Sequence, residues 1–384
     1  MKIFVDGVAF QNDHQRGIQR YFREVLGRMG AQHEVTIWNE IPAASTLPTN
    51  CRRMGPDLTR QPRRWHVLAL GKRAFLKRIR ATSHHAFDVF YSTYYTRAPF
   101  KDLPEVVVVH DMITESFPNS IAAEREIVKK REAILSASRC IAISHATAEE
   151  LRAYYPGVSD RIRVIHHGCE HLMALRTKSE RIKSKFGGAY VLFVGERHNY
   201  KNFSVVLEAM RTREWPFHVR LVVVGKNFSP GEELLLRRMG LAERVIGAGV
   251  LDDDELVNCY RGALGFIFPS VAEGFGFPAL EAQCLGAPVL CSDIAVFREI
   301  CGEGALFFDP RRAECVAAAV GELLNSDMRD LLRARGEENI RRFSWERCAQ
   351  ETLGVFKEAA GRGGGVPVLA DVSKQSLSQR TETA

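Results

Sequence analysis

The sequence lacks several patterns that would place it in common protein classes. It has no run of 18 apolar residues, so no membrane-spanning helix is expected. It also lacks G-x-x-x-x-G-K-[ST], which excludes the usual phosphate loop of nucleoside triphosphatases. None of its nine cysteines forms a Cys-x-x-Cys pair, which argues against a zinc or redox framework. No leader pattern precedes the strand-like run Ile3–Val5, so a cytoplasmic location is expected.

Length and composition describe an ordinary globular protein with more than one domain. The chain has 384 residues, of which 46% are hydrophobic and 26% are charged. At about 150 residues per domain, two or three domains are expected. This composition excludes a largely disordered chain, a collagen and a coiled coil.

The apolar pattern is that of an α/β protein. Strand-like runs alternate with segments in which apolar residues recur at helical spacing, as at Phe203, Val206 and Met210. The runs Val106–Val109 and Leu221–Val224 are continuously apolar, which is typical of parallel strands buried on both faces. The sequence therefore predicts two Rossmann-like, doubly wound domains that face one cleft. The predicted strands are Ile3–Val5, Val35–Trp38, Val89–Tyr91, Val106–Val109, Cys140–Ile143, Arg163–Ile165, Tyr190–Val194, Leu221–Val224, Leu264–Phe268, Val289–Cys291 and Leu306–Phe308.

The chain is expected to divide near His166–Leu175, before the strand that opens at Tyr190. We expect an acceptor-binding domain over residues 1–168 and a donor-binding domain over residues 169–345. Residues 346–360 are predicted to form a helix that packs back on the first domain. Residues 361–384 are rich in Gly, Ser, Thr and Gln, which predicts a disordered tail.

Positive charge is concentrated in one segment. The net charge of the chain is +7, and the stretch between Cys51 and His85 contains ten basic residues against one acid, Asp57. Within residues 60–80 the basic side chains interleave with apolar ones, which is typical of an amphipathic segment on an anionic membrane. The alternative is a solvated helix face. Nucleic acid is not expected as a partner, because no RNA-binding motif with stacking aromatics accompanies the charge.

The most informative motif begins where an apolar strand ends at Phe268. The next residues read P-S-V-A-E-G-F-G-F-P-A-L-E-A and include Glu273, Gly276 and Glu281. Pro278 is suited to the start of a helix, where its missing N–H costs little. Backbone amides at such a start, together with the glycines, form an anion site. Two carboxylates beside an anion site suit sugar and ribose hydroxyls, whereas the alternative is a surface loop with two solvated glutamates.

A second strand-to-helix turn lies about 70 residues earlier. After the strand Tyr190–Val194 the sequence reads G-E-R-H-N-Y-K-N, with Gly195, Arg197 and Lys201. The turn does not match the G-x-G-x-x-G of a dinucleotide site. A guanidinium fork and an ammonium at the end of a strand form a suitable phosphate clamp. The alternative is a solvated basic edge.

Together these motifs resemble those of the retaining glycosyltransferases of family four, which have the two-domain GT-B fold. The likeness rests on the E-x7-E spacing of Glu273 and Glu281 and on the turn with Arg197 and Lys201, and it extends over roughly residues 1–355. It implies that Arg197 and Lys201 hold the donor diphosphate. It also implies that Glu281 binds the ribose and that Glu273 contacts the donor sugar near its anomeric carbon.

The resemblance extends to backbone contacts with the donor. It implies that the amides of Phe275 and Gly276 hold the sugar and phosphates. The backbone at Val250 and Leu251, within G-V-L-D-D-D-E-L, is similar to the family segment that reads the base. Gly17, within R-G-I-Q-R-Y, resembles a Gly-Gly loop that approaches the donor phosphates, with one glycine where two are common.

Acceptor contacts are expected in the first half of the chain. His110 and Asp111 follow the strand Val106–Val109 and resemble a His-Asp-Leu stretch that faces the acceptor in this family. Both are candidate acceptor-binding residues, and Asp111 is also a candidate for a chemical role. The alternative for Asp111 is a simple turn cap. Residues His166–Gly168 are interpreted as the interdomain hinge.

No metal or cofactor is expected. Asp252, Asp253 and Asp254 match a D-x-D pattern that binds manganese in another glycosyltransferase fold, but acids at this position favour the start of a helix. The histidines His166, His167 and His171 are interpreted as a poor metal site, because no pattern of carboxylate ligands accompanies them. The nucleotide sugar itself is a substrate and not a cofactor.

The resemblance implies transfer of a sugar from a nucleotide-diphosphate sugar to a saccharide or lipid-linked acceptor in polysaccharide or lipopolysaccharide biosynthesis. GDP-mannose is the favoured donor, and UDP-sugars remain open. A peripheral position on the inner face of the cell membrane follows if residues 60–80 bind lipid. The alternatives are another GT-B enzyme, such as an epimerase or phosphorylase, and a non-catalytic basic protein that binds membrane or nucleic acid.

Overall fold

The structure is a computed structural model that describes residues 1–10, 16–38, 47–48, 50–54, 87–100, 102–118, 121–170, 186–197 and 199–361. The basic segment 60–80 and the predicted tail from residue 362 onward lie outside these residues. Gly361, predicted as the first residue of the tail, instead ends the last helix.

The first half of the chain folds around a seven-stranded sheet. Its strand order is β3-β2-β1-β4-β5-β6-β7, and every ladder is parallel. The central strands are buried along nearly their whole length, as their apolar sequences predict. The strands are β1 (Lys2–Asp6), β2 (Glu34–Trp38), β3 (Arg52–Met54), β4 (Val89–Ser92), β5 (Glu105–Val109), β6 (Arg139–Ala142) and β7 (Ile162–Val164).

Helices cover this first sheet. The first of them buries Phe22, Val25 and Leu26 at helical spacing against the strands. Another begins at Ser144, whose hydroxyl caps the helix by accepting a hydrogen bond from the N–H of Thr147 at 3.0 Å. The α-helices are Arg16–Gly30, Ile113–Ser116, Ile121–Ser136 and His145–Tyr154, with 3-10 turns at Val8–Phe10 and Pro156–Arg161.

The second half folds around a six-stranded parallel sheet. Its order is β10-β9-β8-β11-β12-β13. Strands β11 and β12 are buried at every position, so helices must cover both faces of the sheet. The strands are β8 (Tyr190–Val194), β9 (Arg220–Val224), β10 (Val245–Gly249), β11 (Gly265–Phe268), β12 (Val289–Ser292) and β13 (Ala305–Phe308).

Seven α-helices belong to this second sheet among the residues that the structure describes. One of them starts with a capping box, in which Ser229 and Glu232 satisfy each other's backbone N–H groups. The helices are Phe203–Ala209, Pro230–Arg238, Asp253–Gly262, Phe277–Cys284, Ala295–Cys301, Ala313–Glu322 and Ser326–Asn339, with 3-10 turns at Asn199–Lys201, Gly302–Gly304 and Ile340–Arg342.

The last helix, Trp345–Gly361, leaves the second half and packs on the first sheet. Phe356 is fully buried there, with its ring 4.8 Å from that of Tyr91. The carboxylate of Glu358 accepts hydrogen bonds from Arg139 at 3.1 Å and Arg163 at 2.9 Å. Burial of a phenylalanine of this kind stabilises the contact by about 1.5 to 3 kcal/mol.

In both sheets the strand order reverses at a central pair, β1 and β4 in the first and β8 and β11 in the second. In doubly wound sheets, ligands bind at the carboxyl ends of the strands at this point. The turns after β8 and β11 carry the two motifs singled out in the sequence. The fold therefore brings Lys201 and Glu273 to one edge, opposite the helix that follows β1.

Within the part of the chain that the structure describes, no helix is long and apolar enough to span a bilayer. The nine cysteines are free thiols, and seven of them are buried.

Candidate active site at the domain interface

The turn after β11 positions the centre of the site. Gly276 has φ of 95°, a left-handed conformation that other residues adopt only with strain, and it caps the helix Phe277–Cys284. Pro278 occupies the first turn of this helix, as the sequence predicts. The free N–H groups of the helix start therefore face the interface between the domains, where they favour an anion.

Lys201 and Glu273 form an ion pair across this edge. The Lys201 Nζ donates to Glu273 Oε1 at 2.6 Å, and the two side chains are only 20% and 11% exposed. The ammonium also lies 5.1 Å from the ring centre of Tyr200 and 5.4 Å from that of Phe268. Partial burial between aromatic rings strengthens electrostatic interactions, because little water screens them.

Glu281 lies one helical turn beyond the Gly276 cap and is held from both domains. Its Oε1 accepts a hydrogen bond from Arg20 Nη1 at 3.0 Å, and its Oε2 accepts one from the Tyr260 hydroxyl at 3.3 Å. Burial raises the pKa of the Glu281 carboxyl, although the Arg20 guanidinium opposes this shift. The two carboxylate oxygens of Glu281 are thus held as hydrogen-bond acceptors near the start of the helix Phe277–Cys284.

Gly17 brings a second helix start to the same place. A Cβ atom at Gly17 would lie 3.7 Å from the ring of Phe277, so the first turn of helix Arg16–Gly30 meets the first turn of helix Phe277–Cys284. Both helices direct their amino ends toward the interface. Two such ends attract negative charge more strongly than one.

Arg197 has a different carboxylate partner from Lys201. Its Nε and Nη2 donate to the carboxylate of Glu232 at 2.7 and 3.1 Å. Its Nη1 and Nη2 also donate to the carbonyls of Lys226 and Asn227 at 2.7 and 3.1 Å. The Arg197 hydrogen bonds hold the pKa of Glu232 at about 2. A clamp shared by Arg197 and Lys201 therefore stays a prediction.

The segment predicted to contact the base follows β10, at the edge of the second sheet. Gly195 follows β8 and donates its N–H to the carbonyl of Val224 at 2.9 Å. Val250 follows β10 and is 65% exposed, while Leu251 is partly buried. Asp252 caps the next helix by accepting from the N–H of Glu255 at 2.8 Å, the position that the sequence predicts for an acid at a helix start.

His110 and Asp111 follow β5 and lie directly under the Glu273 turn. Burial lowers the pKa of His110 to about 4, and its Nε2 has no hydrogen-bond partner in the described part of the chain. Asp111 Oδ1 accepts from the N–H of Ile113 at 3.0 Å, which is the turn cap that the sequence left open. Lys130, only 1% exposed, braces this loop by donating to the carbonyl of Asp111 at 2.5 Å and to Glu115 at 2.8 Å.

Gly274 is where the two domains come closest at the site. A Cβ atom there would lie 1.8 Å from the carbonyl oxygen of His110, so no side chain fits. The Gly274 carbonyl accepts hydrogen bonds from the hydroxyls of Ser144 at 2.7 Å and Thr147 at 3.0 Å. All three groups belong to the first domain, so this structure is a closed arrangement.

Glu299 makes a second contact between the domains. Its carboxylate accepts from the N–H groups of His145 at 2.7 Å and Ala146 at 3.0 Å, and lies 2.6 Å from His166 Nε2. Burial alone would raise the pKa of Glu299, but these bonds lower it overall. His145, His166 and Glu299 each place one ligand atom within 4.8 Å of the others. Because backbone N–H groups already occupy both carboxylate oxygens, we interpret the cluster as a domain contact.

Two family models match the chain, one in each half. The model for Glycosyltransferase Family 4 matches residues 15–171, and that for Glycosyl transferases group 1 matches residues 176–343. Together they include every strand of the two sheets except β1, and the whole site. The chain belongs to the family-four glycosyltransferases. The predicted family and enzyme class are thereby confirmed.

Curated relatives of this glycosyltransferase include several that are named mannosyltransferases. It is 26% identical over 368 residues to O-antigen chain mannosyltransferase B of Escherichia coli, with 89% of this chain and 96% of that protein covered. It is 29% identical to D-inositol 3-phosphate glycosyltransferase of Acidothermus cellulolyticus, with 71% and 67% covered. It is 24% identical to O-antigen chain mannosyltransferase RfbU of Salmonella typhimurium, with 70% and 72% covered.

Solved glycosyltransferases share the fold. Anabaena Alr3699/HepE, solved in complex with UDP and glucose, superposes with a TM-score of 0.69 at 17% identity, covering 93% of this chain and 99% of that one. WaaG, a glycosyltransferase involved in lipopolysaccharide biosynthesis, superposes with a TM-score of 0.62 at 14% identity, covering 93% and 99%. The predicted GT-B fold is confirmed.

Sequence reasoning missed some residues that the glycosyltransferase brings to its site. Arg20 stands in the R-G-I-Q-R-Y segment singled out for its glycine, but its partner Glu281 is 261 residues away. Lys130 lies within an ordinary charged helix, and only its burial marks it as special. Glu299 is one glutamate among many in the sequence. The motifs around these residues gave no signal for their contacts.

Proposed function

We propose that this glycosyltransferase transfers mannose from GDP-mannose, with retention of configuration, to a hydroxyl of a saccharide or lipid-linked acceptor in polysaccharide or lipopolysaccharide biosynthesis. The observation that carries the proposal is the Lys201–Glu273 pair, set at 2.6 Å beside the helix that begins at Gly276. The names of the curated relatives support the choice of mannose, because two of them are O-antigen chain mannosyltransferases.

In this proposal the donor diphosphate lies between the two helix starts, with Lys201 at its side. The helix amides and the ammonium supply positive charge at a place where water is partly excluded. Glu281 accepts from the ribose hydroxyls. Since Arg20 now donates to Glu281 Oε1, the ribose must share that oxygen or displace the guanidinium.

The proposed reaction breaks the bond between the anomeric carbon and the diphosphate oxygen. As the bond lengthens, negative charge grows on the leaving group and positive charge on the sugar ring. Fixed cations at the diphosphate therefore stabilise the transition state more than the ground state. The acceptor oxygen forms the new bond on the same face, and its proton passes to the leaving diphosphate. Glu273 lies beside the ring and stabilises its developing positive charge.

Arg197 contributes positive charge at the same edge. Four of its hydrogen bonds are taken by Glu232 and by the carbonyls of Lys226 and Asn227. Direct contact with the diphosphate requires that Arg197 release Glu232. A diphosphate carries enough charge to compete for the guanidinium, because charge-assisted bonds to phosphate are strong and bidentate.

The acceptor is assigned to the first domain, with His110 and Asp111 as its contacts. Asp111 is partly exposed beside the Glu273 turn, so its carboxylate is accessible to an acceptor hydroxyl. The proposal also assigns residues 60–80 to an anionic membrane surface on the cytoplasmic side. That part rests on the sequence pattern of basic and apolar residues.

Nucleotide binding is the first test. Thermal unfolding is measured with GDP, UDP and ADP and with their sugars. We expect GDP-mannose to stabilise by about 2.7 kcal/mol at a concentration 100 times its Kd. The Glu281→Ala variant should lose most of this shift, whereas Glu346→Ala, on the exposed surface of the last helix, should keep it. A shift with UDP-sugars only would replace the donor, and no shift with any nucleotide sugar would overturn the proposal.

Transfer and membrane binding need separate assays. Retention is tested by the anomeric coupling of the product in NMR spectra, and an inverted product would contradict it. Membrane binding is tested by sedimentation with vesicles containing anionic lipid at low and high salt. We expect binding that salt weakens, and binding that is absent or indifferent to salt would remove residues 60–80 from the proposal.

A further inference from the structure

A cavity of about 480 Å³ lies in the second domain, away from the interface. The loops that line it follow helices Phe203–Ala209 and Pro230–Arg238 and lead into β9 and β10. It is therefore at the amino ends of these strands, whereas Lys201 and Glu273 lie at the carboxyl ends. One five-residue strand, about 16 Å, separates the two places. The volume is in the range of small-ligand pockets.

All the charged side chains that line this cavity are positive. Its lining includes Arg211, Arg213 and Arg244, and none of the lining residues is acidic. Arg213 approaches Glu214 at 3.5 Å, but its side chain is 95% exposed, so water screens that pair. A concave surface with three guanidinium groups concentrates positive potential and favours an anion.

Arg244 presents unused donors at the cavity. Its Nη1 donates to the carbonyl of Met210 at 3.1 Å. Its Nε and Nη2 are buried, and neither has a hydrogen-bond partner among the residues that the structure describes. A buried donor without a partner costs stability, so its retention requires a reason. The Nε–Nη2 edge is the fork that binds a carboxylate or phosphate with two parallel hydrogen bonds.

Phe217 lies over this guanidinium. Its ring centre is 4.9 Å from Arg244 Cζ, yet its side chain is 82% exposed. A phenylalanine so exposed loses the benefit of burial, which is unusual for an aromatic side chain. Because most of the ring is exposed, it can turn aside from the fork and offer a face to a flat ligand.

We propose that this cavity is a second binding site, for an organic phosphate. The phosphate bonds to the Nε–Nη2 fork of Arg244, with Arg211 and Arg213 at its rim. The remaining volume takes a sugar or nucleobase ring against Phe217, since 480 Å³ is far more than a bare phosphate fills. The site is independent of the donor site and of the function proposed for it.

The test uses thermal unfolding of the full chain in the Lys201→Ala background, which weakens phosphate binding at the donor site. The probes are inorganic phosphate, glucose 1-phosphate and AMP. At saturation each should raise Tm by about 3 °C or more. A larger shift with AMP identifies a nucleotide ligand, and a larger one with glucose 1-phosphate identifies a sugar phosphate. The absence of any shift would overturn the proposal.

Two variants locate the effect. Arg244→Met should abolish the shifts, and its Tm without ligand should equal or exceed that of its parent, because two unpaired buried donors are gone. Phe217→Ala changes only an exposed ring, so it should fold normally. It should reduce the shifts with AMP and glucose 1-phosphate and leave that with inorganic phosphate. Unchanged shifts in both variants would place the binding elsewhere and refute the site.

Discussion

Replacing Lys201 with alanine is the sharpest test of the proposed chemistry. The ammonium lies 2.6 Å from Glu273 and is 20% exposed, so it acts in a partly dry site beside the start of a helix. Loss of one such charge-stabilising donor lowers kcat by about 100-fold to 1,000-fold. A hundredfold loss corresponds to about 2.7 kcal/mol of transition-state stabilisation.

The same change also affects the fold, and the two effects must be separated. Without Lys201, the carboxylate of Glu273 is left 11% exposed and without its cation, which costs about 1 to 3 kcal/mol of stability. The double variant Lys201→Met, Glu273→Gln removes both charges and should recover most of that stability. It should not recover activity, because the charged groups of Lys201 and Glu273 are then absent from the donor site.

The assay measures GDP release from GDP-mannose at saturating donor, together with Tm for each variant. Lys129→Ala is the matched control, because this lysine is exposed on helix Ile121–Ser136 of the first domain. We expect the control to stay within twofold of the parent. If Lys201→Ala keeps more than a third of the parent kcat while folding normally, the ammonium has no part in stabilising the leaving group.

Three further predictions concern the interface. Glu281→Gln should weaken GDP binding by about 10-fold to 100-fold, the loss of a charged acceptor for the ribose, as titration calorimetry would measure. Gly274→Ala places a Cβ 1.8 Å from the His110 carbonyl, so the domains should stay apart; kcat should fall and small-angle scattering should show a larger radius of gyration. The pKa of His110 is about 4 in the folded protein against 6.5 in the unfolded chain, so its contribution to the free energy of unfolding is complete above pH 6.5 and is lost as the pH falls to 4. Between these pH values, chemical denaturation should show that the free energy of unfolding falls by about 3 kcal/mol more in the wild type than in His110→Phe. Equal decreases would contradict a buried, neutral His110.

The sequence predicted most of the sheet strands, because parallel strands that are buried on both faces are continuously apolar. Two strands escaped. Strand β10, Val245–Gly249, contains two glycines, so its apolar pattern is weak. Strand β3, Arg52–Met54, is short and basic because it lies at the edge of the first sheet. Tertiary pairing with β9 and β2 determines these two segments more than their own propensity does.

The positions of site residues were predictable where both residues follow strands of the same sheet. Lys201 and Glu273 are 72 residues apart, but each follows a strand at the switch point of one parallel sheet, so they were expected at one edge. The partner of Arg197 was not predictable in this way. Glu232 belongs to a helix capping box, and nothing in its sequence pattern indicates that its carboxylate also reaches across to Arg197.

Contacts between the domains could not be predicted from the sequence. The pairs Arg20–Glu281 and His166–Glu299 depend on how two separate sheets are oriented, and no local pattern encodes that orientation. Gly274 of the E-G-F-G turn illustrates this limit. The motif showed that a glycine stands there, but the reason that it must lack a side chain is the carbonyl of His110 in the other domain.

The hydrogen bonds to the Gly274 carbonyl bear on how fast a bound nucleotide is released. Ser144 and Thr147 hold it from the first domain, so under the proposed function a nucleotide bound beside the turn leaves after those two hydrogen bonds break. Product escape then depends on the strength of a backbone contact that touches neither substrate. Removing either hydroxyl would shorten the residence time of the spent nucleotide, and turnover would quicken wherever that departure is the slowest step.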